Sequence, residues 1–104
     1  MFKITPQAAA QVRKSAQETH TEDLALRIAA DRKSDGSIHY IIGFDEIQPG
    51  DVHLHMEDVD IVIASSSKEL LNGATMDFVE IEPEQFAFIF LNPNDPHYVP
   101  PTED

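Results

Sequence analysis

The sequence predicts an α+β domain in which two helices cover a curved, mostly antiparallel sheet of about seven short strands. Three observations lead to this class. Apolar residues recur at helical spacing in two stretches, they alternate with polar residues in most of the others, and Gly, Pro and Asn mark the junctions. The chain of 104 residues suffices for one domain with its own core, which we assign to residues 1–94.

The first helix is expected to begin at Thr5 and Pro6. Thr is a favoured N-cap, and Pro at the first helical position already has a helical φ angle. The helix has a narrow apolar stripe that faces the sheet. The stripe consists of Ala8, Ala9, Val12 and Ala16.

Alternating patterns predict the next strands at residues 24–30 and 38–44, and then a hairpin of two short strands that start at Val52 and Val59. The segment 31–37 concentrates charged and small residues, which is typical of an exposed loop. Residues 48–51 have Pro and Gly in the central positions of a turn.

The stretch 66–94 supplies the second helix and the end of the sheet. Ser66 and Glu69 have the spacing of a capping box, and Gly73 is suited to the left-handed residue that ends a helix. Residues 74–81 alternate as a strand does. The last strand, at residues 86–91, is apolar on both faces, so we expect it to be the most covered strand.

Composition excludes several function classes. The chain has no cysteine, which excludes disulfides and clusters held by its own thiolates. Its net charge of −12 repels phosphate backbones and anionic lipids, so we expect a protein partner with a basic surface, and no nucleic acid or membrane. The apolar runs are shorter than the roughly 18 residues of a membrane span, and the first residues lack the core of a signal peptide, which favours a cytoplasmic protein.

Segments spread along the chain carry a family resemblance. They are Leu26-Arg27-Ile28, Tyr40 with Phe44, the run from Leu71 to Val79 with its Asn-Gly stop, and Phe90-Leu91-Asn92-Pro93-Asn94. In this order they resemble the A-type iron–sulfur carrier family, also called HesB-like or IscA-like. The resemblance covers nearly the whole chain and implies a HesB-like domain, with residues 95–104 as a flexible, Pro-rich acidic tail.

In that family, one cysteine in the loop after the second strand and a Cys-Gly-Cys pair after the Asn-Pro-Asn turn hold iron or a cluster. The resemblance places these three positions at Asp35, Val99 and Pro101. Asp is a hard oxygen ligand, and Val and Pro are not ligands, so the thiolate set for cluster iron is lost. We therefore expect no bound cofactor.

The resemblance is strongest to cysteine-less members of the family that accompany the dissimilatory sulfite reductase system of sulfur-oxidising bacteria. It implies a protein-interaction or regulatory module in iron–sulfur or sulfur-oxidation metabolism, and not an enzyme. Exposed carboxylates of this chain would then contact the partner. The oligomeric state of the chain itself stays open. The expected contact residues are Glu22, Asp23, Asp31, Asp35 and Asp95.

Other polar groups allow alternatives. A carboxylate and two imidazoles, from Asp35, His39 and His97, could hold a single Fe(II) or Zn(II) ion. His53 and His55 leave the same face of a strand, a spacing that can support metal ligation but is more often a solvated strand face. The serines at residues 65–67 could suggest a nucleophile, but capping of the second helix explains them.

Overall fold

The computed structural model describes residues 2–95, and the statements about structure below concern that part of the chain. Two helices form, α1 (Pro6–Glu18) and α2 (Lys68–Leu71), and a short 3-10 turn (Ser65–Ser67) leads into α2. The strands are β1 (Lys3–Ile4), β2 (Ala25–Arg32), β3 (Ile38–Asp45), β4 (Val52–Met56), β5 (Val59–Ile63), β6 (Thr75–Glu82) and β7 (Gln85–Leu91).

These strands divide between two sheets, where the sequence pattern suggested one. The first sheet has the order β1-β6-β7, and the second has the order β3-β2-β5-β4. The pairs β1/β6 and β2/β5 are parallel, and the three hairpin pairs are antiparallel. The α+β class with two helices and mostly antiparallel strands is therefore confirmed, and the parallel pairs join segments that are distant in the sequence.

Helix α1 is positioned by the residue that precedes it. Thr5 Oγ1 accepts a hydrogen bond from Ala8 N at 3.1 Å and donates one to Asp77 Oδ1 at 2.6 Å. The predicted start at Thr5 and Pro6 is thus confirmed, and the same hydroxyl fastens the helix to β6. The predicted apolar stripe is buried in full, as Ala8, Ala9, Val12 and Ala16. Its small side chains let the helix approach the sheets closely.

The most covered strand is β5. Ile61 is fully buried, and it pairs with Leu26 of β2 and Leu54 of β4. The prediction that β7 is the most covered strand is wrong, because β7 lies at the edge of its sheet and the exposed fraction of Phe86 is 57%. An apolar pattern on both faces shows what a strand could bury, but not whether another element covers it.

Helix α2 is a single turn, and within the described chain no side chain caps its start. Ser67 Oγ instead accepts a hydrogen bond from Ala30 N at 3.1 Å and donates one to Ala30 O at 3.3 Å. The predicted capping box of Ser66 and Glu69 is therefore wrong, and so is capping as the role of the serines of residues 65–67. Ser67, not Ser66, stands at the N-cap position, and its buried hydroxyl satisfies backbone groups of β2 instead of the helix start. The predicted helix stop is confirmed, since Gly73 has a φ angle of +83°.

The predicted exposed loop is shorter than expected. Strand β2 continues to Arg32, and Asp31 pairs with His39 of β3. The loop therefore comprises residues 33–37. The sequence pattern ended the strand too early because charged side chains are tolerated at strand ends that face water.

Residues 46–51 connect β3 to β4, which lie at opposite edges of the second sheet. The connection contains the predicted turn: Gly50 has a φ angle of +88°, and Asp51 N donates to Gln48 O at 3.1 Å. Because it must pass from one edge of the sheet to the other, this connection needs an anchor on the strands between them.

Arg27 of β2 is that anchor, and we name Arg27, Asp45 and Asp51 the Arg27 clasp. The two Nη atoms of Arg27 donate to the carboxylate oxygens of Asp51 at 3.0 and 2.7 Å, and Nε donates to Asp45 Oδ2 at 2.8 Å. The Asp51 side chain is only 7% exposed. The guanidinium lowers the pKa of both carboxyl groups by its hydrogen bonds.

Replacing the central side chain of β5 should destabilise the domain. Ile61→Ala is expected to lower the free energy of unfolding by about 2–5 kcal/mol, because it leaves a cavity in a close-packed core. Phe86→Ala serves as the control, with an expected loss of about 1 kcal/mol or less, since its ring is largely exposed. Urea denaturation measures both losses. A loss for Phe86→Ala as large as that for Ile61→Ala would contradict this account of the core.

The clasp predicts an acid-sensitive contribution to stability. The pKa of Asp51 is lower in the folded chain than the value of about 3.9 for an unfolded Asp. Its contribution is therefore complete above about pH 4 and is lost as the pH falls through the folded pKa. We expect Asp51→Asn to have a lower Tm than the wild type at pH 6, and the difference to shrink below pH 4. Glu82→Gln, which changes an exposed carboxylate, is the control. A Tm difference for Asp51→Asn that persists unchanged at low pH would contradict the role of this carboxylate.

Candidate functional site

The family ligand positions direct attention to one end of the second sheet, where the β2–β3 loop (residues 33–37) meets the turn of residues 92–95. We name these two segments the loop–turn site. Arg32 joins them, since its guanidinium donates to Gly36 O at 2.7 Å and, over a longer 3.4 Å, to Asn94 O. The structure thus brings the loop and the Asn-Pro-Asn turn together by hydrogen bonds of the chain itself.

The turn is built around Asn92, whose exposed fraction is only 1%. Its Nδ2 donates to Leu70 O at 2.6 Å and to Tyr40 OH at 3.1 Å, and its Oδ1 accepts from Asn94 N at 2.9 Å. One buried amide therefore connects α2, β3 and the turn. A buried amide of this kind is stable only when its polar atoms have partners, and here they do.

Asn94 completes the connection to α2. Its Nδ2 donates to Asn72 O at 2.9 Å and to Leu70 O at 3.2 Å. The last carbonyl groups of a helix have no partners within the helix, so this amide caps the C-terminus of α2 from a distant part of the chain. The backbone then turns, as Asp95 N donates to Asn92 O at 3.0 Å.

Tyr40 lies between this turn and the core, since it contacts Asn92 and packs against the core residues. Its ring stacks on that of Phe90 with centroids 4.2 Å apart and an interplanar angle of 5°. Burial raises the pKa of the Tyr40 phenol, and the nearby carboxylate of Asp95 adds to the rise, against the hydrogen bond from Asn92. The phenol is therefore neutral at physiological pH and acts as a fixed hydrogen-bond partner.

Asp35 lies in the β2–β3 loop, at the position to which the sequence resemblance assigns a family cysteine. Its Oδ1 accepts hydrogen bonds from Ser37 N at 3.0 Å and from Ser37 Oγ at 2.6 Å. This is the local turn that Asp side chains stabilise, and Gly36, with a φ angle of +89°, makes it possible. The carboxylate thus has a structural role in holding the loop.

The alternative metal site of Asp35, His39 and His97 is only partly visible. Asp35 and His39 are both exposed, and His97 lies outside the described residues, as do Val99 and Pro101. Among residues 2–95, no group of three or more His, Asp or Glu side chains has an arrangement that could hold a metal ion. The metal site stays a hypothesis, and so does the flexible tail, of which only Asp95 is described.

The predicted partner residues do not form one surface. Asp31, Asp35 and Asp95 belong to the end of the domain where β2 stops, whereas Glu22 and Asp23 precede the start of β2. The eight residues of β2 separate these groups by roughly 25 Å. Apart from the half-buried Asp95, these carboxylate residues are exposed.

One polar cluster has a member that the sequence pattern missed. His53 Nε2 and His55 Nδ1 lie 3.0 and 2.9 Å from the same oxygen, Oδ1 of Asp60 on the neighbouring strand. The contacts with His55 and then His53 lower the pKa of Asp60. The prediction that both imidazoles share one exposed strand face is confirmed. Asp60 is the exposed residue between two buried residues of β5. This alternation is the sequence signal that could have placed its carboxylate on the same exposed face as His53 and His55.

The donor set of the chain does not fit an iron–sulfur cluster. The irons of such clusters are bound by cysteine thiolates, in some sites together with imidazole. The chain contains no cysteine, and Asp35 at the loop position is engaged in its own turn. Among the described residues, no helix is long and apolar enough to cross a membrane.

Comparison with known proteins gives consistent matches over this fold. Residues 1–95 match the family described as iron-sulphur cluster biosynthesis. The iron–sulfur cluster insertion protein ErpA of Alkalilimnicola ehrlichii is 36% identical over 93 residues, which cover 88% of this chain and 75% of that protein.

Solved structures agree with this match. A crystal structure of IscA with the 2Fe-2S cluster has a TM-score of 0.70 and 28% identity, and the alignment covers 89% of this chain and 83% of that one. SufA of Escherichia coli, at 19% identity, shows the shared fold alone, with a TM-score of 0.75 over 88% of this chain and 80% of that one. The family resemblance read from the sequence is thus confirmed: the chain belongs to the iron–sulphur cluster biosynthesis family.

Proposed function

We propose that this protein is a cysteine-less A-type scaffold that acts in the cytoplasm by binding another protein and does not carry an iron–sulfur cluster. The observation that carries the proposal is the state of the loop–turn site. The backbone of the site is kept in place by Arg32, Asn92 and Asn94, while the thiolates that bind iron in the family are missing.

The proposed setting is iron–sulfur or sulfur-oxidation metabolism, and the role is that of a regulatory or adaptor module similar to the cysteine-less protein DsrR of sulfur-oxidising bacteria. The family membership supports the first part of this setting. The shared lack of cysteine and the acidic surface support the second. Electrostatic attraction to a basic partner surface would raise the association rate and the selectivity more than the affinity.

The chemistry of the donor set generates one prediction. Anaerobic reconstitution with iron and sulfide is expected to leave the protein without stoichiometric cluster absorbance, because no thiolate is present to bind the irons. A relative that keeps the three family cysteines is treated in parallel as the control. A stoichiometric, stable cluster on the wild-type chain would contradict the proposed function.

A variant with the cysteines restored gives the matched positive case. If the backbone keeps the family geometry, Asp35→Cys combined with Val99→Cys and Pro101→Cys should gain iron or cluster binding. A folded triple variant that binds neither would show that the family positions were assigned to the wrong residues.

The acidic surface generates a second prediction, for a purified protein partner. Asp31→Lys combined with Asp35→Lys should slow association about tenfold at low salt, and the difference should fade near 0.5 M salt because exposed charges are screened. Glu22→Lys with Asp23→Lys makes the same charge change at the far end of β2 and separates a local contact from net charge. Stopped-flow kinetics measure the rates, and circular dichroism checks folding. Association that is insensitive to salt and to both variants would contradict an electrostatic docking surface.

A further inference from the structure

The β6–β7 hairpin extends beyond the rest of its sheet. Strand β1 pairs with β6 only at Thr75 and Met76, whereas β6 and β7 remain paired up to Glu82 and Gln85. From Asp77 onward the sheet is therefore a ribbon of two strands. We name residues 79–87, at the far end of this ribbon, the hairpin tip.

The hairpin tip presents apolar side chains to water. Ile81 and Phe86 are each 57% exposed, the largest exposed fractions among the large hydrophobic residues of the described chain. Phe86 is nevertheless held in place, because its ring stacks on that of Phe78 with centroids 5.7 Å apart, and Phe78 in turn contacts Phe88 at 4.9 Å. An exposed aromatic ring that is already ordered loses little conformational entropy when it docks.

The backbone of the tip is ordered in the same way. Pro83 and Glu84 form the turn, and Glu84 has a φ angle of +65°, as the second central residue of such a turn requires. Glu80 supports the turn, since its Oε2 accepts a hydrogen bond from Glu84 N at 3.0 Å. The hairpin tip is therefore a protruding β-turn with a defined backbone conformation.

The acidic residues of the hairpin tip indicate the charge of the partner surface. Glu80 lies directly across from Phe86 in the strand register, and Glu82 and Glu84 complete an acidic rim. No Lys or Arg follows Lys68 in the sequence. The tip thus presents two exposed apolar side chains beside three carboxylates, on a chain of net charge −12. This arrangement favours a cationic partner surface and disfavours a second copy of this acidic chain.

We infer that the hairpin tip docks into an apolar pocket of a protein partner that is ringed by Lys and Arg, with Phe86 and Ile81 as the buried anchors. This inference rests on the proposed function, and it moves the main contact away from the loop–turn site. Protein interfaces commonly bury aromatic side chains at their centre and surround them with a polar rim. The other exposed large hydrophobics, Ile41 and Ile47, lie on β3 and on the connection that the Arg27 clasp holds.

The test titrates the isotope-labelled protein with a synthetic nonapeptide of alternating Lys and Phe and follows backbone amide signals by NMR. A peptide of alternating Lys and Ser keeps the charge, and a peptide of alternating Glu and Phe keeps the apolar residues. We expect the Lys-Phe peptide to shift signals of residues 79–87 most. We expect the other two peptides to bind at least about tenfold more weakly.

Variants of the hairpin tip test whether the side chains of Phe86 and Ile81 bind the peptide. Phe86→Ser should weaken binding of the Lys-Phe peptide about tenfold, and Ile81→Ser is the second variant if the loss of the Phe78 contact disturbs folding. Ile47→Ser removes an exposed apolar side chain of similar exposure elsewhere and should leave the affinity unchanged. Equal effects of all three variants, or shifts centred outside the tip, would overturn the inference.

Two further outcomes would also overturn it. If sedimentation shows a dimer that Phe86→Ser dissociates, the occupant of the tip is a second copy and not a basic partner. If a purified partner loses affinity with Asp31→Lys and Asp35→Lys but not with Phe86→Ser, the tip is not the docking element while the proposed function stands. Cluster assembly on the wild-type chain would count against the proposed function and not against the tip.

Discussion

The hydrogen bonds of the buried Asn92 side-chain amide are the interactions on which the loop–turn site depends. A buried amide without partners costs roughly 1–3 kcal/mol, so each of its hydrogen bonds constrains the element that supplies the partner. Asn92 thereby sets the distance between α2 and Tyr40 of β3. Arg32 connects the β2–β3 loop to this turn, because its guanidinium donates hydrogen bonds to Gly36 O and to Asn94 O. The backbone of the loop–turn site is thus held by hydrogen bonds within the chain itself.

Local patterns were sufficient to predict most of the elements. Helix α1, the strands and the stops at Gly50 and Gly73 follow from apolar spacing and turn chemistry, both of which act over a few residues. The predictions were wrong where the local structure depends on contacts with a segment distant in the sequence. Ser67 is diverted from capping by Ala30, and β7 is left at an edge because no further strand pairs with it among residues 2–95. The division into two sheets has the same origin, since it depends on the parallel pairing of β2 with β5.

The site was predictable in outline and not in detail. The family resemblance pointed to the β2–β3 loop and the Asn-Pro-Asn turn, and the structure joins these two segments through Arg32. It could not show that β2 holds Glu22 and Asp23 far from Asp31, because an acidic composition carries no geometry. The Arg27 clasp and the carboxylate of Asp60 were missed for a related reason. Each depends on strand register across a sheet, which a single strand pattern does not contain.

The parallel pair β1/β6 has a consequence for biosynthesis. Lys3 and Ile4 pair with Thr75 and Met76, and Thr5 bonds to Asp77, so the first residues of the chain are completed by residues about three quarters of the way along it. Helix α1 therefore cannot be seated until the ribosome has made β6. Until then its apolar stripe and the inner face of β2 are uncovered on the nascent chain. Contacts of such long range slow folding, and they make the growing polypeptide a natural client for chaperones that shield exposed apolar segments.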